Sequence, residues 1–328
     1  MKKLRVGIVG LGRIAPAHIR AVQACLDVAD LTAFISRNQQ TARAAAEQHR
    51  VQKLYASLDE ALASRELDAV VLCSPNHLHA PQTIAAARAG CHVLVEKPLS
   101  NTVAEADAMI EAGSRNGVVV MVAQCRRFTQ AAQVAKRRLA EMGPVYSIVH
   151  TLAVRFPGVL TDWWPSAEKT GGLALGLNGP HVVDTIVWLM GKPPTRVQAT
   201  AARHNLGWEG EDEAALLLDF LDGGIGVGHL SFNANPGYNE RGIVAAGGTM
   251  RMTDETKLAV NGQTVVDETY GPYLQGGPNF DAQMREFLTA ILEGRQPQAS
   301  AAEIRVVVEV LEAARRSIAT GGPVTLPL

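Results

Sequence analysis

The chain has 328 residues, 31 Lys and Arg against 32 Asp and Glu, a formal net charge of −1, 47% hydrophobic and 5% aromatic residues. That length suits two domains with an ample core. The charge balance and the few aromatic residues exclude a broad basic nucleic-acid footprint, a polybasic membrane anchor and a base-stacking surface. No apolar run approaches the roughly 18 residues of a membrane helix. Met1-Lys2-Lys3 faintly echoes a signal peptide, but Gly7, Gly10 and Gly12 suit a turn better than an export helix. Cys25, Cys73, Cys91 and Cys125 lie far apart with no C-x-x-C pair. That spacing offers neither a zinc site nor a disulfide framework, so no metal is expected and the reading is buried thiols in a reducing cytoplasm.

The first third alternates two periodicities. Strand-like runs at Leu4–Val9, Leu31–Ile35, Ala69–Cys73, Val93–Val95 and Val118–Ala123 are separated by helix-like stretches at Ala15–Cys25, Thr41–His49, Ser57–Ala63, Pro81–Ala89 and Thr102–Asn116. Ser57 with Glu60, and Thr102 with Glu105, have capping-box spacing. Nearly continuous apolar strands alternating with helices predict a parallel sheet covered on both faces, over residues 1–122. From residue 123 the pattern changes. A helix at Thr129–Met142 is followed by strand candidates Tyr146–Arg155, Arg196–Arg203, Glu213–Leu221, Gly224–Phe232, Arg241–Ala246 and Thr249–Met252. Asp222-Gly223-Gly224 and Gly247-Gly248 read as hairpin turns, Pro180–Met190 as an inserted helix and Ala301–Ile318 as the last one. Residues 123–328 therefore read as a mostly antiparallel α+β domain.

Gly10-Leu11-Gly12-Arg13-Ile14-Ala15 is G-x-G-x-x-A between a strand and a helix. Small residues there let the backbone approach a pyrophosphate, and the helix N-terminus meets its charge. Gly10, Gly12, Arg13 and Ile14 are thus candidate dinucleotide contacts; the alternative is a tight turn with no ligand. Proteins that prefer NAD place Asp or Glu at the end of the second strand. Here the stretch is Phe34-Ile35-Ser36-Arg37-Asn38. Ser36 suits a donor to a 2′-phosphate and Arg37 its counter-charge, so NADP(H) is expected over NAD(H); a solvated loop cation is the alternative for Arg37. The fourth strand ends Cys73-Ser74-Pro75-Asn76-His77-Leu78-His79 and the fifth ends Glu96-Lys97-Pro98. Both stretches fall at the carboxyl edge of the sheet, where ligands bind. Ser74, Pro75, Asn76 and His79 are candidate cofactor contacts, although the histidines read equally as solvent-facing loop residues.

In the second domain, Pro180 suits a first helical position and Gly191 the stop. His181 then lies in the first turn, where the helix dipole disfavours its protonated form, as a base for a substrate hydroxyl requires. Asp184, three residues on, either orients it or complements the helix N-terminus. Arg127, Trp163 and Trp164 are candidate pocket residues, with packing as the alternative for the tryptophans.

Val6–His18, Asp68–His79, Gly90–Pro98, Arg127-Phe128, Gly171–Asp184 and Phe287–Val324 resemble the glucose–fructose oxidoreductase / inositol dehydrogenase / rhizopine-catabolism (Gfo/Idh/MocA) family of NAD(P)-dependent oxidoreductases. The resemblance implies a Rossmann domain, then an α/β domain whose open sheet often mediates oligomerisation, hence a homodimer or homotetramer. It implies that Lys97 lies near the nicotinamide and the substrate hydroxyl, and that Glu96 and Asn76 contact cofactor. The chain departs from the family pattern at Leu177, where the family has Asp or Asn four residues before the histidine; Asn178 stands one position late. The reading is a cytoplasmic NADP(H)-dependent oxidoreductase on a sugar, polyol or related small molecule, with Lys97 and His181 catalytic. The alternative is a catalytically silent nucleotide-binding sensor or assembly subunit.

Overall fold

The computed structural model describes residues 3–156 and 158–328. Its first stretch runs β1 (Leu4–Val9), α1 (Ala15–Gln23), β2 (Ala29–Ile35), α2 (Gln39–His49), β3 (Lys53–Tyr55), α3 (Leu58–Ala63), β4 (Ala69–Leu72), α4 (His79–Arg88), β5 (His92–Val95), α5 (Val103–Arg115) and β6 (Val120–Val122). The six strands form one parallel sheet in the order β3-β2-β1-β4-β5-β6. Ile8, Phe34, Val70, Val71 and Leu94 are wholly buried, because helices cover both faces of such a sheet. Strand order reverses between β1 and β4, and this switch point opens at the carboxyl ends of the strands. Two helices start as their residues dictate: Asn38 Oδ1 accepts from Thr41 N at 3.0 Å and Ser57 Oγ from Glu60 N at 3.2 Å.

The chain continues α6 (Gln130–Glu141), β7 (Val145–Arg155), α7 (Ala167–Thr170), α8 (Ala174–Leu177), α9 (Gly179–Met190), β8 (Arg196–Ala202), β9 (Glu213–Asp219), β10 (Ile225–Ser231), β11 (Asn233–Ala245), β12 (Gly248–Thr253), β13 (Lys257–Val260), β14 (Gln263–Asp267), α10 (Pro278–Glu293), α11 (Ala301–Thr320) and β15 (Val324–Thr325). Nine strands form a second sheet, ordered β14-β13-β12-β11-β7-β10-β9-β8-β15. Only β10 beside β7 is parallel; the other neighbours are antiparallel. Helix α9 lies close on this sheet because Gly226 gives it room. A Cβ there would stand 2.6 Å from the Ile186 side chain. The opposite face of the sheet leaves Val149, Leu217, Ile225 and Val244 exposed, and the strand register puts all four on that one side.

The division of the chain differs from a single cut after residue 122. One compact unit comprises 1–100, 104–125 and 270–305; the other comprises 101–103, 126–269 and 306–328. The unanticipated helix α10 accounts for this. It packs on α1, where the Phe280 and His18 rings meet edge-on at 5.5 Å and Arg20 pairs with Asp281 at 2.9 Å. Strands β3, β13 and β14 were likewise not anticipated. Among the described residues no single helix is long and apolar enough to cross a membrane, and no group of three or more His, Cys, Asp or Glu is placed to hold a metal.

Candidate active site

Within the first unit, β1 stops at Val9 and Gly10 turns the chain with φ +84°. A Cβ on Gly10 would lie 3.0 Å from the Cys73 carbonyl oxygen, and Gly10 N donates to Ile35 O at 2.9 Å. The turn therefore crosses the ends of β4 and β2 at contact distance. A Cβ on Gly12 would meet nothing within 4 Å. Helix α1 then opens on Ala15 and Pro16, and no side chain caps it at Ile14. An open glycine turn leading to a helix start uncapped by any side chain fits the pyrophosphate of a dinucleotide. Arg13 is exposed beside it.

At the carboxyl end of β2, Ser36 is half-buried and Arg37 exposed. The Ser36 hydroxyl accepts from Asn38 N at 3.2 Å, and Gln39 Nε2 donates to Ser36 O at 2.7 Å. Residues 36–38 carry no carboxylate. At the end of β4, the Ser74 hydroxyl donates to Gln82 Oε1 at 2.5 Å, Pro75 precedes a single 3-10 turn, and Asn76 is buried.

His79 corrects an expectation. Its ring is wholly buried, with Nδ1 2.7 Å from Pro98 O and Nε2 2.9 Å from Ser74 O. Burial pushes its pKa down, against these two carbonyls and the Glu96 charge. The ring lies between the turn after β4 and the turn after β5, and each nitrogen faces a main-chain carbonyl, to one of which the single N–H of the neutral imidazole donates.

Lys97 emerges half-buried after β5, next to the buried Glu96. Sequence reasoning named Glu96 but missed its partner. His18, wholly buried on α1, places Nε2 2.7 Å from Glu96 Oε1, and Lys97 N donates to Glu96 Oε2 at 3.1 Å. Burial pushes the Glu96 carboxyl up, but the His18 hydrogen bond and the His18, Lys97 and His79 charges outweigh it. Its pKa lies below the usual carboxylate value.

In the second unit, α9 begins with Pro180 in its first turn and Asn178 as its cap residue. His181 is buried in that first turn, and its carbonyl accepts from the Thr185 hydroxyl at 2.8 Å. Asp184 has a partner that sequence reasoning did not foresee. Its carboxylate receives the Arg127 fork, Nε to Oδ2 at 2.8 Å and Nη2 to Oδ1 at 2.6 Å. Both side chains are buried, and the guanidinium stands 5.3 Å from the Trp188 ring centroid. Arg127 thus forms a strut between the segment before α6 and helix α9. Trp164 is buried, with its ring edge-on to Phe156 at 5.0 Å. Trp163 and Asn178 are only half-buried. Leu177 ends α8 and is buried.

The description "Oxidoreductase family, NAD-binding Rossmann fold" matches residues 4–124, and "GFO/IDH/MocA C-terminal domain" matches residues 128–253. The chain belongs to the Gfo/Idh/MocA oxidoreductase family. It is 29% identical over 94% of its length to a 4-carboxy-2-hydroxymuconate-6-semialdehyde dehydrogenase of a Sphingobium species, covering 96% of that protein. It is 30% identical over 73% of its length to the myo-inositol 2-dehydrogenase of Thermotoga maritima, covering 71% of it. A levoglucosan dehydrogenase solved with NADH and levoglucosan superposes with a TM-score of 0.90 at 25% identity, each chain covered in full. The protein is accordingly an oxidoreductase with an NAD-binding Rossmann domain, whose relatives are dehydrogenases and reductases of sugar and alcohol groups.

Proposed function

We propose that this protein is an NADP(H)-preferring oxidoreductase that interconverts a carbinol and a carbonyl on a sugar, polyol or related small molecule. The observation that carries this reading is Lys97 at the carboxyl end of β5, in the unit that also holds the open Gly10–Gly12 turn. A bound nicotinamide supplies the hydride acceptor or donor. The Gly10–Gly12 turn and the start of α1 hold the pyrophosphate, and the Ser74–Asn76 turn and Glu96 complete the cofactor contacts. Lys97 orients the substrate oxygen and stabilises negative charge on it. His181 takes or returns the hydroxyl proton.

Cofactor choice rests on the end of β2. Ser36 and Arg37 offer a donor and a cation to a 2′-phosphate, and no carboxylate there repels it. The test is a titration of NADPH and NADH by fluorescence. Wild type is expected to bind NADPH more tightly, Arg37→Ala to lose that margin, and Ser36→Asp to prefer NADH. Equal affinities in wild type would refute the cofactor assignment. A cofactor-binding protein without turnover is the second reading, favoured by buried Leu177 where the family pattern has a polar residue. Four buried cysteines suit the reducing cytoplasm we assign to it. The exposed face of the second sheet suits pairing with another copy of the chain.

A further inference from the structure

We propose that His18 is a positioning residue for Lys97 and acts through the Glu96 carboxylate. The proposal rests on the reading of Lys97 as the group that acts on the substrate oxygen. Glu96 follows β5 directly and is 6% exposed. One of its oxygens is held by His18 Nε2 at 2.7 Å, and the other accepts the main-chain N–H of Lys97 at 3.1 Å. The carboxylate therefore ties helix α1 to the backbone from which the Lys97 side chain departs.

The imidazole is itself fixed. It is 0% exposed, it lies edge-on to Phe280 of α10 at 5.5 Å, and its Nδ1 has no hydrogen-bond partner among the described residues. A carboxylate only accepts, so Nε2 carries the proton of this contact. A buried carboxylate with a donor removed keeps its desolvation cost and either shifts or takes up a proton. Among the described residues, His18 from α1, Lys97 beside it, His79 from the start of α4 and Cys73 after β4 interact electrostatically with Glu96. Cys73 is pushed well up by burial and then by the Glu96 charge, so its thiol stays protonated and supplies no counter-charge. Losing His18 removes the largest influence that holds the Glu96 pKa down. Helix α1 begins at the glycine turn, so the same histidine joins the helix that receives the pyrophosphate to the lysine that meets the substrate.

A residue that merely fills the core would tolerate an apolar replacement. The test compares His18→Gln, which keeps an N–H donor at similar reach, with His18→Leu, which keeps bulk and removes the donor. Cofactor affinity is titrated against pH, and kcat and KM are measured where the cofactor is saturating. His18→Leu is expected to move the acid limb of cofactor affinity up by about one pH unit or more. It should also lower kcat on the order of 10²-fold, with KM nearly unchanged, because the misplaced group acts only in the reacting complex. His18→Gln is expected to restore both. Identical behaviour of the two variants, or a wild-type kcat and acid limb in His18→Leu, would overturn the proposal. If His18→Leu fails to fold, Glu96→Gln replaces it and is expected to lose kcat to a similar extent; a wild-type kcat there would equally overturn the link. A wild type that binds cofactor yet turns over no hydroxy compound would defeat the functional reading instead, while the acid limb still judges the His18–Glu96 pair.

Discussion

The proposed function gives Lys97 the part of a charged donor and His181 that of a proton acceptor. Lys97→Met keeps an unbranched side chain one atom shorter and removes the charge. Cofactor affinity is expected to hold while turnover falls on the order of 10²–10³-fold, as for other donors aimed at transition-state charge. Titration and initial rates separate the two; a near wild-type kcat would demote Lys97 to a surface cation. His181→Ala is expected to lower turnover on the order of 10²-fold or more with cofactor affinity held, read by the same titration and initial rates. The reach of sequence reasoning at this scale depended on chain neighbourhood. Glu96 and Lys97 stand out because adjacent opposite charges end an apolar strand. His18 does not, because its partner is 78 residues away and only the fold brings α1 onto the turn after β5. His79 failed for a related reason: a polar residue at a strand's carboxyl edge is as able to bond the backbone of the neighbouring turn as a ligand.

The helices and strands of the first sheet follow from local rules, and their caps at Asn38 and Ser57 are the ones the residues specify. Helix α10 was missed although Phe280, Met284, Phe287 and Leu288 form its buried stripe and Pro278 opens it. What no local rule carries is the unit such a late helix joins, since that is decided by packing on α1. Strands β3, β13 and β14 have only three to five residues, too short for alternation to stand out. The Arg127–Asp184 strut belongs to this scale, because it locks α9 to the segment before α6. Asp184→Asn leaves a buried guanidinium without its counter-charge, which costs about 3–5 kcal/mol. Denaturant midpoints are expected to record that loss; an unchanged midpoint would mean that the pair contributes little to holding α9.

At the scale of the whole molecule, the second sheet presents Val149, Leu217, Ile225 and Val244 on its outer side. We propose that this exposed face pairs with another copy of the chain. Leu217→Asp is expected to shift the protein to monomer in sedimentation, and a wild type that sediments as monomer would remove this face from the account. The most direct measurement is the formation of reduced nicotinamide by the full-length protein, with NADP+ or NAD+ saturating, across a panel of sugars and polyols. The account predicts turnover of at least one such compound, faster at limiting NADP+ than at limiting NAD+, and its near-complete loss in Lys97→Met. Cofactor bound with no reduced nicotinamide formed on any of them, or undiminished turnover in Lys97→Met, would contradict it.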